Sequence, residues 1–199
     1  MNPHRLPIKS WKQELTFAGA GLTGMTLSYL MENIALTYSQ ASNVGVIVSI
    51  APVFTAITAH IFLKEEGKLR PAFFMGCVIA LIGISLISFS GTTMHLNPIG
   101  DLLSVGGAII WSFYSVLSKK IGSFGYSVVQ ATRRTFFYGI LFMIPALFIF
   151  DFKWGLIRFA TPAYLFNIFY LGLGASAICF VTWNMAVRIL GAIKTSVYI

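Results

Sequence analysis

Charge is what this chain has least of. Of its 199 residues only 10% are Asp, Glu, Lys or Arg, while 57% are hydrophobic and the mean hydropathy is +0.81. A water-soluble domain of this size carries far more polar surface, so the solvent for most of this chain is lipid. Cysteine is scarce as well. Cys77 and Cys179 both fall inside apolar runs, which excludes a secreted disulfide framework and leaves them as small apolar residues. His4, His60 and His95 stand far apart, so no metal site and no cofactor is expected. No Gly-rich phosphate loop, no Ser-His-Asp set and no aromatic-basic face occurs. Nucleotide-driven pumping, nucleic-acid binding and enzymatic chemistry therefore find no support.

What is present is a series of apolar runs, each long enough to cross a hydrocarbon layer of about 30 Å as a helix. Six are expected as full spans: Leu15 to Tyr38, Ser42 to Leu63, Pro71 to Ser90, Ile99 to Ser118, Val128 to Phe150 and Pro162 to Leu190. A seventh starts at Gly191. The runs are apolar on all sides and do not alternate, which favours an all-α, polytopic transmembrane bundle over a barrel. The first fourteen residues hold three basic residues and two prolines but no short apolar core, so no cleavable signal peptide is expected.

The net charge of +8 is parcelled into short loops. Counted by alternate sides, twelve basic residues fall with the N-terminus, and only Lys153 and Arg158 fall opposite. That asymmetry predicts a multi-pass protein of the cell (inner) membrane with its N-terminus, and the turn from Lys64 to Arg70, in the cytoplasm. Arg133 and Arg134 sit near the cytoplasmic start of the fifth span. Their long stems let the charge snorkel to the interface; an ion pair at an inner gate is the alternative.

Six residues are acidic, and Glu32 is the one set deep in a membrane-length run. A carboxylate there is costly and marks a functional position, although a protonated or paired Glu gluing helices would also fit. Tyr29, Glu32, Asn33 and Leu36 share one helical face, expected to look into the bundle. On the fourth span Ser104, Gly107, Ala108, Trp111, Ser115 and Ser118 form a second such stripe, with Tyr114 beside it. Plain close packing is its competing explanation. Trp183 offers an aromatic wall or an interfacial anchor. Pro52 is expected to kink the second span near mid-membrane and serve as a hinge. Gly76, Ala80 and Gly83 make a small-residue stripe suited to tight contact or a homodimer.

Residues 21–48 align without a gap on residues 172–199, with Gly21, Leu22, Asn33, Ala35, Ala41 and Val46 recurring as Gly172, Leu173, Asn184, Ala186, Ala192 and Val197. The copies lie in the first and sixth spans, which cross the membrane in opposite directions. This is an inverted repeat, a plan of secondary transporters. Asn33 and Asn184 thereby become a matched pair that could serve two gates, or simply two interhelix hydrogen bonds.

Several stretches carry a family likeness: Asn33-Ile-Ala-Leu-Thr-Tyr-Ser-Gln-Ala-Ser-Asn43, Ala51-Pro-Val-Phe-Thr-Ala56, Phe62-Leu-Lys-Glu-Glu66, Gly76 to Gly83, Gly100-Asp-Leu-Leu-Ser104 before Trp111, and Tyr170-Leu-Gly-Leu-Gly174 before Trp183-Asn-Met-Ala186. In this order they resemble the EamA-type branch of the drug/metabolite transporter superfamily, over nearly the whole chain. The resemblance implies a ten-helix bundle of two inverted five-helix repeats. Residues 1–98 would then be the last three spans of the first repeat, with a cytoplasmic N-terminal segment. Residues 99–199 would be the first three spans and the start of the fourth of the second repeat. The chain is thus expected to be an incomplete bundle whose missing helices belong to a longer protein. The implied activity is secondary transport, as an exporter, of small organic metabolites such as amino acids. The lipid bilayer and a small-molecule substrate are its partners. A non-transporting scaffold or assembly subunit is the alternative from another class. The candidate substrate or coupling residues are Tyr29, Glu32, Asn33, Trp111, Tyr114, Ser115, Trp183 and Asn184.

Overall fold

The computed structural model describes residues 10–63, 71–88, 97–150, 155 and 160–198. Among them every regular element is helical: α1 (Trp11–Gly21), α2 (Ser28–Tyr38), α3 (Ala41–Val48), α4 (Ala51–Phe62), α5 (Pro71–Ser88), α6 (Pro98–Gly122), α7 (Val128–Ile149), α8 (Pro162–Phe169), α9 (Cys179–Leu190) and α10 (Ala192–Ser196). Backbone groups in lipid must be bonded within their own segment, and helices achieve this. Two elements are wider than an α-helix. A π-helical segment, Leu22–Leu27, joins α1 to α2, and another, Tyr170–Ile178, joins α8 to α9. The aligned stretches noted above superpose these segments, since residues 22–27 correspond to 173–178.

Helix 11–38 is about 40 Å long at 1.5 Å per residue. It includes Lys12, Glu14 and Glu32 and starts earlier than the expected Leu15. Four helices among the described residues are long and apolar enough to cross a membrane: Ala41–Phe62, Pro98–Gly122, Val128–Ile149 and Pro162–Leu190. The expected second span is broken at Ser49–Ile50, and Pro52 stands at the start of α4. Having no N–H, Pro52 leaves the carbonyl of Val48 without its usual partner four residues on. Gly191, with φ of 91°, ends α9 and turns the chain into α10, a conformation that side chains with a Cβ rarely adopt.

α6 is the central post. Asn97 caps its start by accepting from the N–H groups of Ile99 and Gly100. Lys119 and Lys120 sit in its last turn, where they complement the helix dipole. α1, α2, α3, α4 and α9 all pack against it. Thr58 on α4 and Ser112 on α6 share a 2.8 Å hydrogen bond that pins one such contact. α5 lies at the margin. Among the described residues nothing stands within 4 Å of a Cβ built at Gly76 or Gly83. His4, Arg5, Lys9, the Lys64 to Arg70 turn, His95, Lys153 and Arg158 lie outside the described residues.

Candidate functional site

Spacing of three and four residues puts Ser104, Gly107, Ala108 and Trp111 on one face of α6. Opposite stand Ser28, Tyr29 and Glu32 of α2, and Val48 closes the side where α3 ends. Together they enclose a cavity of about 220 Å³, room for several water molecules. The serines add little free polarity, because Ser28 Oγ donates to Gly24 O and Ser104 Oγ to Gly100 O, at 2.9 and 2.8 Å. Glu32 is therefore the charged group of the wall, half-buried and with no ion-pair partner among the described residues.

Trp111 ends the cavity and opens an aromatic cluster. Its ring centroid lies 5.0 Å from Tyr114, 5.5 Å from Trp183 and 5.6 Å from Phe180. Tyr29 meets Phe180 edge-to-face at 6.0 Å. Such offset and edge-on arrangements suit the ring quadrupole and hold the rings without polar bonds.

Beyond the rings lies a polar knot. Tyr114 Oη and Ser118 Oγ both donate to Asn184 Oδ1, at 2.7 and 2.5 Å, and Asn184 Nδ2 donates to Thr132 Oγ1 at 2.9 Å. One amide thus ties α6, α7 and α9 together. A space of about 20 Å³, bordered by Asn184, Ser118, Tyr126 and Arg188, adjoins it and fits one water.

The expected site residues therefore divide into groups. Tyr29, Glu32 and Trp111 meet at the cavity. Tyr114 and Asn184 meet in the knot, Trp183 lies between, and Ser115 Oγ is bonded to Trp111 O at 3.1 Å. Asn33 joins neither group. It is exposed, as is Leu36, and Asn33 Nδ2 donates to the carbonyl of Tyr29 in its own helix at 2.7 Å.

One polar assembly lies outside the expected set. Arg134 grips Glu14 through both nitrogens, Nη2 to Oε1 at 2.7 Å and Nε to Oε2 at 3.0 Å, while Tyr138 Oη donates to Oε2 at 2.6 Å. The side chains are 19% and 7% exposed, and the guanidinium lies 5.9 Å from the centre of the Phe17 ring. Arg134 thus takes the ion-pair alternative and does not snorkel. Arg133, one residue earlier, points outward and is exposed. Two-point geometry of this kind is the strong form of the pair, and it clamps α1 to α7.

Comparison with known proteins places these features. The sequence model of the EamA-like transporter family matches residues 2–89 and 98–199. An "Uncharacterized transporter" of Archaeoglobus fulgidus is 26% identical over 181 residues, covering 89% of this chain and 60% of the relative. A "Probable terminal-alkyne amino-acid exporter" of Streptantibioticus cattleyicolor is 26% identical over 167 residues, covering 84% of this chain and 54% of the relative. The chain thus spans a little over half the length of these curated relatives. A solved crystal structure superposes with a TM-score of 0.66 at 23% identity, over 94% of this chain and 65% of that one, a likeness of fold.

Proposed function

The chain belongs to the EamA-like transporter family and is a multi-pass integral membrane protein; from that premise we propose that it moves small organic molecules across the cell (inner) membrane by alternating access. The observation that carries this reading is the cavity itself, a 220 Å³ space between α2, α3 and α6 with Glu32 on one side and Trp111 on the other. Its walls combine one charge, an aromatic face and small residues, a combination suited to an organic cation or zwitterion. Export is the proposed direction and amino acids are among the proposed cargo, supported by the name of the Streptantibioticus relative. The N-terminus is proposed to be cytoplasmic, on the distribution of Lys and Arg. With that orientation the Glu14–Arg134 clamp and the Asn184 knot lie on the inner side, and the cavity lies between them and the outer face.

Glu32 is proposed to take a substrate ammonium or a coupling proton. The test is transport in proteoliposomes, using this chain together with any further spans that its reading frame supplies beyond Met1 and Ile199. Glu32→Gln is expected to lower the rate at least about tenfold and to flatten its pH dependence. A variant with unchanged rate and pH profile removes Glu32 from the mechanism.

A further inference from the structure

The stripe on α6 passes two spaces, one after the other. Ser104, Gly107, Ala108 and Trp111 line the 220 Å³ cavity. The next residues on the same face, Tyr114, Ser118, Ile121 and Gly122, line the 20 Å³ space nearer the end of α6 that carries Lys119 and Lys120. Two rings stand between them. Tyr114 is 1% exposed, with its ring centroid 5.0 Å from Trp111 and 5.5 Å from Phe180, and a Cβ built at Gly24 of the π-helical segment would run into it. The ring fills the passage, and its hydroxyl is tied to α9 through Asn184 Oδ1. Two further bonds from α9 close the smaller space, Ser118 Oγ to the same Asn184 oxygen at 2.5 Å and Arg188 Nη1 to Tyr126 O at 3.1 Å. None of these bonds joins opposite charges, so each is modest beside the two-point Glu14–Arg134 pair that clamps α1 to α7. Among the described residues α9 buries only Phe180 and Val187 in full. The closure therefore has a strong side, at α1 and α7, and a weak side, at α9.

We propose that Tyr114 and Asn184 are the latch of the inner gate: the 20 Å³ space is the collapsed inner half of the transport path, and it joins the cavity when α9 withdraws from α6 and α7 and the Tyr114 ring is released. This rests on reading the cavity as part of a transport path, and it adds which helix moves and which bonds break. The Glu14–Arg134 clamp stays shut in both states, so α1 and α7 form the fixed wall against which the gate works. Because the latch is a bond between neutral groups, its loss shifts the balance between closed and open states without leaving a bare charge in the interior.

The test follows access to the cavity from each face of the membrane, in sealed proteoliposomes holding this chain with any further spans of its reading frame. Val48→Cys, on the cavity wall and outside the latch, is the reporter, with Cys77→Ala and Cys179→Ala removing the native thiols. A charged, membrane-impermeant methanethiosulfonate is added to one face at a time. Tyr114→Phe keeps the ring and removes the hydroxyl, and it is expected to speed labelling from the face where Lys119 and Arg188 emerge by about fivefold, the size of one net hydrogen bond. Labelling from the other face is not raised, because a two-state gate gives up one opening as it gains the other. Asn184→Ala is expected to act in the same direction. Thr58→Val removes a buried hydrogen bond of the same kind between α4 and α6, away from the path, and is expected to change neither rate. An unchanged rate in Tyr114→Phe overturns the inference. So does a rise from both faces, which marks the knot as plain glue, and so does an equal effect of Thr58→Val. If the reporter reacts from the other face alone in every variant, the cavity reading stands and the latch falls; if it reacts from neither face, both fall.

Discussion

Helix 11–38 and helix 162–190 align residue for residue over their shared stretch, and they are held in opposite ways. Gly21 is jammed. A Cβ built there would stand 2.6 Å from Gly139 N and 2.7 Å from Thr135 O. Its counterpart Gly172 has nothing within 4 Å. Asn33 bonds only its own helix, whereas its counterpart Asn184 gathers three side chains from two other helices. Tyr29 and its counterpart Phe180 meet each other. The repeat therefore carries over a backbone plan, including the position of the π-helical segment, and leaves each copy to acquire its own partners from the helices that surround it.

The comparison breaks most sharply at the clamp that only the first helix has. Arg134→Met leaves the Glu14 carboxylate buried without its cation and is expected to cost about 3 kcal/mol. Arg133→Met is expected to stay within about 0.5 kcal/mol. Unfolding in mixed detergent micelles, followed by circular dichroism, measures both. Gly21→Ala comes next, at about 2 kcal/mol from overpacking against backbone that has no room to yield. Gly172→Ala is expected to have the opposite sign, a gain of up to about 1 kcal/mol from helix propensity alone. Equal effects at these two positions would show that the open side of helix 162–190 is covered in the micelle.

A smaller contrast separates the asparagines. Asn184→Ala strips the Tyr114 and Ser118 hydroxyls of their acceptor and is expected to cost about 1.5 kcal/mol, with faster hydrogen exchange along the adjoining turns of α6 and α9. Asn33→Ala removes one bond within an exposed helix surface and is expected to cost about 0.3 kcal/mol. Should Asn33 prove the more costly, it has a partner that helix 11–38 alone does not show.

Much of the candidate site was legible in the sequence because polar and aromatic residues in lipid-facing runs are few and their helical spacing is simple. Glu32, Tyr29 and Trp111 meet as a period of 3.6 requires, and the α6 stripe is buried except at Trp111, which is partly exposed. Asn33 was misplaced by the same arithmetic. Its face turns outward, and its amide is satisfied one turn back along its own helix. The Glu14–Arg134 pair was only half legible. Glu14 stands at the edge of its span, where a charge needs no special explanation, and its partner is 120 residues away on a helix whose adjacency spacing does not reveal. Gly76 and Gly83 meet no neighbour among the described residues of this chain, and small residues permit a close approach without naming the partner.

The π-helical segment at Leu22–Leu27 settles a question of phase. Glu14 and Glu32 are eighteen residues apart, five whole turns of a straight α-helix, so on a helical wheel they fall on the same spoke. Both carboxylates would then face one neighbour, and either the clamp or the cavity would lose its acid. Wider turns hold extra residue per revolution, and over six residues the accumulated lag is roughly 100°. That lag aims Glu14 at Arg134 on α7 and Glu32 at the space beside α6. Deleting a single residue there would restore an unbroken α-helix with the acids seventeen residues apart, a phase within a few degrees of the present one, so the clamp and the cavity are expected to keep their separate facings.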